Sequence, residues 1–108
     1  MSSITQEFII INGPSKWDLV VSFFSSWSEK NYTVFTATKT DQQQLTEGRT
    51  REKVHLIMRI LKLSHKDLSG DQFLFEGLAW SVEKQRYWFT GAYNVRDRSG
   101  QINLELVG

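Results

Sequence analysis

The sequence contains no cysteine, so disulfides, thiolate zinc sites, iron–sulfur clusters and cysteine nucleophiles are excluded. Its longest wholly apolar run is Phe8 to Ile11, which is far below the ~20 residues that cross a bilayer. The first residues lack the basic and apolar regions of a secretion signal. We therefore expect a cytoplasmic protein that has no membrane partner.

Motifs for catalysis and for cofactor binding are also missing. The chain has neither a phosphate-binding glycine loop nor a nucleophile elbow, and its two histidines, His55 and His65, lie apart from any Asp/Glu cluster with ligand spacing. We expect no metal, no cofactor and no enzymatic activity.

The composition supports one folded domain that spans residues 1–108. Hydrophobic residues make up 40% of the chain, which includes 4 Trp, 3 Tyr and 7 Phe. A chain of this length buries roughly two thirds of its unfolded surface, which is enough for a stable core.

Residues 15–30 show the apolar spacing of an amphipathic helix. Ser15 is the predicted N-cap, with Asp18 three positions later. The apolar positions on one helical face are Trp17, Val20, Val21, Phe24 and Trp27, and Leu19 and Phe23 extend that face. We expect this face to pack against the core.

The remaining segments predict strands. They run approximately over residues 7–11, 32–38, 51–63, 72–82, 86–95 and 102–107, with a polar loop at 39–50 and a turn at 64–71. Short connections between the last four strands favour an antiparallel meander. The predicted fold is α+β, with one helix on a curved, mainly antiparallel sheet of five or six strands in the order β-α-β-β-β-β-β.

Positive charge is concentrated in residues 49–66, where six basic side chains face one acidic residue, although the whole chain carries only +1. Alternation along the strand places Val54, Leu56, Met58 and Ile60 on one side. The opposite side carries a basic stripe of Arg51, Lys53, His55 and Arg59, interrupted by Ile57.

A second strand alternates in the same way and adds Arg86, Trp88 and Arg96 on one face, with a predicted core side of Tyr87, Phe89, Tyr93 and Val95. The last strand is predicted to turn Ile102, Leu104 and Leu106 inward. Cations neutralise phosphates, and a flat aromatic ring can stack on an unpaired base. A surface that combines Arg51, Lys53, His55, Arg59, Arg86, Trp88 and Arg96 would suit single-stranded DNA or RNA. The alternative is a solvated outer face whose long basic side chains cover apolar surface.

Three classes of function remain open. The favoured class is a small non-catalytic binding or regulatory module that engages a protein partner, or itself, through an exposed sheet face or edge. The second is the nucleic-acid-binding domain. The third is a small-molecule site or enzyme between helix and sheet, with Glu76 or His55 as its polar group; Glu76 shares its strand face with Leu74 and Leu78, unless Gly77 bends the strand.

Overall fold

The computed structural model describes residues 5–39 and 53–107. Its elements are β1 (Thr5–Ile10), α1 (Lys16–Glu29), β2 (Tyr32–Lys39), β3 (Lys53–Leu68), β4 (Gln72–Trp80), β5 (Arg86–Asn94) and β6 (Ser99–Leu106). The predicted α+β fold and its element order are confirmed. Most of the predicted polar loop, and Arg51, lie outside the described residues.

All strand pairs are antiparallel, and β1 to β6 follow one another around a closed barrel. The first and last strands pair with each other, from Thr5–Glu105 to Ile10–Gly100. Strand β6 is thus bonded along both edges, by β1 on one side and by β5 on the other, and has no free edge within the described residues for a partner strand. The sheet edge that the sequence-based prediction offered to a partner is therefore not found at β6.

The barrel closes unevenly between β1 and β3. Strand β1 meets β2 only at Phe8–Lys39 and Ile9–Thr38, and β2 covers β3 only as far as Arg59. Beyond Arg59, β3 continues to Leu68 in pairing with β4, so the turn predicted at 64–71 begins later than expected. The helix packs along the half of β3 that β2 leaves uncovered.

The helix begins and ends with well-defined caps. Ser15 is the N-cap, as predicted, and its Oγ accepts a hydrogen bond of 3.1 Å from the Asp18 amide. Lys30 ends the helix in the left-handed conformation. The loop before the helix is tied to the far end of the sheet, because the Tyr93 hydroxyl donates to the Pro14 carbonyl at 2.6 Å. Burial raises the pKa of Tyr93, against the opposing effect of the Arg98 charge, so the hydroxyl keeps its proton.

The core fills the barrel from the inward side of each strand. Alternation along β3, β5 and β6 is as predicted, with Met58, Phe89 and Ile102 buried. On β4 the inward positions are Phe73, Phe75, Gly77 and Ala79. The helix contributes Phe23, whose ring centroid lies 5.1 Å from that of Phe75.

Candidate protein-binding surface

The helix turns most of its predicted core face to solvent. Its buried residues are Leu19, Phe23 and Ser26. The exposed large apolar residues are Trp17 (74%), Val21 (42%), Phe24 (43%) and Trp27 (49%). We call these four side chains the apolar stripe. The sequence-based assignment of Trp17, Val21, Phe24 and Trp27 to the core was wrong, whereas Leu19 and Phe23 do enter it.

The reason is the way the helix packs on β3. Only the arc with Leu19, Phe23 and Ser26 is buried there, and Ser26 bonds to the strand. The Ser26 hydroxyl accepts a hydrogen bond from the Ile60 amide at 3.0 Å and donates to the Asn31 carbonyl at 2.5 Å. A small polar residue lets the helix approach the strand and satisfies a strand amide that β2 does not reach. The sequence-based prediction overlooked Ser26, because it counted only the apolar positions of the helix.

The apolar stripe is held in place by its neighbours. Phe24 packs edge-to-face on Trp27 and on His65, with ring centroids 6.3 Å and 5.8 Å away. His65 in turn lies 5.6 Å from Phe73, and Lys16 forms an ion pair with Asp67 beside it. Side chains that are already ordered lose less conformational entropy when a partner binds.

The stripe continues onto the sheet through a groove. Trp27 and Trp88 both line a groove of about 400 Å³, together with Lys62, Leu63, Ser64, Glu76 and Gly77. Trp is one of the residue types enriched at binding hot spots. The helix and the outer sheet face therefore form one continuous surface.

The structure brings part of the predicted basic surface together. Strand β4 lies between β3 and β5, so that Trp80 pairs with Arg59 on one side and with Arg86 on the other. Trp88 is half-buried and lies two residues after Arg86 on β5. It pairs with Leu78 of β4, and Leu78 pairs with Lys62 of β3 on its other side. The described residues of the basic stripe, Lys53, His55 and Arg59, therefore lie on the outer face of the barrel, as Trp88 does.

The other residues predicted to bind nucleic acid do not converge on one surface. Lys53 and His55 are exposed near the start of β3, and the guanidinium of Arg59 lies over the Trp80 ring at 5.2 Å. The Nε atom of Arg59 is buried and makes no hydrogen bond to the part of the chain that is described. Arg96 is in the turn after β5, where it contacts Asp71 at 3.3 Å. The cations are therefore spread over the barrel, and Arg59 covers apolar surface.

The structure disfavours Glu76 as a buried acid or base. Glu76 is exposed, because the odd-numbered residues of β4 face the core and the even-numbered residues face out. Gly77, which pairs with Leu63, does lie next to an irregularity, since the register of β3 shifts between Ile60 and Lys62 and leaves Leu61 as an extra residue. A cavity of about 740 Å³ does lie between the first turns of α1 and β2, beside the contact of Ser22 with Thr33, but its described lining includes neither Glu76 nor His55.

Among residues 5–39 and 53–107, no group of three His, Asp or Glu side chains has the arrangement of a metal site. Within the same residues, the helix is too short and too polar to cross a membrane. Comparison with family models, with curated proteins and with solved structures found no match for this chain. Function must therefore be argued from the surface itself.

Proposed function

We propose that the chain is a small non-catalytic binding module that engages a protein partner through the apolar stripe. The observation that carries this proposal is the exposure of four large apolar side chains on one helix. Monomeric proteins rarely expose contiguous apolar surface of this kind, because water around it costs free energy. A partner that covers the stripe would remove that cost.

Two features support a protein as the partner. The stripe itself is uncharged, and the lining of the groove beside it includes one cation, Lys62, and one anion, Glu76, so the two together carry little net charge. Protein interfaces are typically depleted of charge at their centre and enriched in Trp, Phe and Arg. The predicted exposed sheet face still contributes, through Trp88, but the helix supplies the centre of the surface.

In-cell photocrosslinking tests the proposal. A photoreactive benzoylphenylalanine placed at Trp17 is expected to give discrete protein adducts in the cells from which the sequence derives, since Trp17 protrudes furthest. The same amino acid at Val82 is the matched control, because Val82 is an apolar residue of similar exposure (56%) on the β4–β5 connection. Phe24→Glu, introduced together with the probe, is expected to remove the adducts.

Equal crosslinking from positions 17 and 82, or adducts that survive Phe24→Glu, would contradict the proposal. Such results would mean that the stripe contacts other proteins without selectivity.

A nucleic-acid partner is the second candidate, favoured by the adjacency of Arg59, Trp80 and Arg86 on the outer sheet face. Its test is the fluorescence anisotropy of a labelled single-stranded oligonucleotide at low and then moderate salt. Because few cations converge, we expect weak binding at most, with a shallow salt dependence. Strong, salt-sensitive binding that Arg86→Ala and Trp88→Ala both weaken would overturn this expectation and promote the second candidate. Lys39→Ala, at the end of β2, is the control for a general loss of positive charge.

A further inference from the structure

We infer that the partner of the apolar stripe is a second copy of this chain, held by antiparallel pairing of the two α1 helices about a twofold axis. The inference rests on the proposed function, which it makes specific. Its basis is that the exposed positions of α1 are complementary to themselves when one helix is reversed.

The complementarity follows from the spacing of four exposed residues. Trp17, Val21, Phe24 and Ser28 occur at positions i, i+4, i+7 and i+11, and all four are exposed. At about 100° per residue they fall within an arc of about 60° on the helix. We call this row the helix seam. A straight row of this kind is the geometry by which one helix packs along another.

The order of sizes along the helix seam selects the antiparallel arrangement. A twofold axis between Ser22 and Phe23 brings Trp17 opposite Ser28 of the second copy, and Val21 opposite Phe24. The largest side chain then meets the smallest one, and the two middle pairs are equivalent by symmetry. A parallel pair would instead set Trp17 against Trp17 and Ser28 against Ser28, which leaves a bulge at one end and a gap at the other.

Electrostatics and length agree with this arrangement. Reversed helices place the positive end of each helix dipole beside the negative end of the other. The 14-residue helix is about 21 Å long, so one helix pair makes a small interface. Small interfaces belong to weak, transient complexes, so we expect a dissociation constant on the order of 1–100 µM, with flanking contacts from Trp27.

Sedimentation velocity of the full chain over a concentration series tests the inference. The species is expected to move from 12.6 kDa to twice that mass as the concentration rises through the micromolar range. Phe24→Glu is expected to weaken association by about 30-fold or more, the effect of a central hot-spot residue. Val82→Glu, which changes an exposed apolar residue far from α1 in the sequence, is expected to leave it unchanged.

Crosslinking of single cysteines tests the antiparallel orientation of the two helices. Because the chain has no native cysteine, only the introduced cysteine can react. Val21→Cys is close to the proposed axis, so a short bismaleimide is expected to join two copies. Ser28→Cys is its control: with a rise of ~1.5 Å per residue, the two copies of Ser28 lie on the order of 16 Å apart along the axis, and no crosslink is expected. Crosslinking of both variants would indicate a parallel pair and overturn the antiparallel inference.

A chain that stays monomeric over the whole concentration range would overturn the second copy as partner. The in-cell adducts from Trp17 distinguish this failure from failure of the proposed function. Adducts whose mass corresponds to a different protein would support the proposed binding function and contradict the homodimer. Absence of any selective adduct, together with a monomer, would reject both.

Discussion

Replacing Phe23 by alanine is expected to lower the free energy of unfolding by about 3–5 kcal/mol, the loss typical of a buried phenylalanine. Phe23 is 1% exposed and packs on three rings of the barrel, with centroid distances of 5.1 Å to Phe75 and 6.1 Å to both Phe35 and Phe89. Truncation removes these contacts and leaves a cavity that a closed barrel has little freedom to fill. Urea denaturation followed by circular dichroism measures the change.

The neighbouring residue supplies the matched control. Phe24→Ala removes the same side chain from the next position of the helix, where it is 43% exposed. We expect a loss below about 1 kcal/mol at a protein concentration that keeps the chain monomeric. Should Phe23→Ala fail to fold, Phe23→Leu retains most of the volume and is expected to cost about 1–1.5 kcal/mol. Equal losses for both alanine variants would contradict the observed orientation of the helix.

Replacing Gly77 by alanine is expected to cost about 3 kcal/mol or more, at or beyond the upper end of overpacking effects. A Cβ atom at this position would lie 1.9 Å from the Lys62 carbonyl oxygen and 2.9 Å from the Phe89 ring. The nearer obstacle is backbone, so relief requires β3 or β4 to move. That close approach accompanies the register shift between Ile60 and Lys62. Thermal unfolding compared with the wild type measures the effect.

Glu76→Ala is the control for Gly77→Ala, because it changes the adjacent, outward-facing residue of the same strand. It is expected to alter stability by less than about 0.5 kcal/mol. A Gly77→Ala variant as stable as Glu76→Ala would mean that the two strands do not approach each other as closely as described.

The sequence predicted the element order, the helix cap at Ser15 and the inward sides of β3, β5 and β6, because short-range alternation determines these features. It could not predict closure of the barrel, which depends on pairing between Thr5–Ile10 and the last strand, far apart in the chain. It also assigned Trp17, Val21, Phe24 and Trp27 of α1 to the core, where only Leu19, Val20 and Phe23 of the predicted apolar positions pack. Apolar spacing identifies which residues share a face, and the packing of α1 on β3 decides which of them are buried.

The same limit applied to the candidate site. Alternation placed Arg59 and Trp88 correctly on outward strand faces, yet strand order decided that β4 separates them. The apolar stripe was not predicted, because an apolar helix face is ordinarily buried in the core.

The orientation of the apolar stripe is tested most directly by ¹⁹F NMR of the chain labelled with 5-fluorotryptophan, with the resonances of the 4 Trp residues assigned through Trp→Phe variants. The shift of each resonance between H₂O and D₂O reports the solvent exposure of that ring. At concentrations that keep the chain monomeric, we expect the largest solvent shift for Trp17, a clear shift for Trp27, and smaller shifts for the half-buried Trp80 and Trp88. Small shifts for Trp17 and Trp27 with large shifts for Trp80 and Trp88 would place the stripe in the core and contradict its exposed orientation.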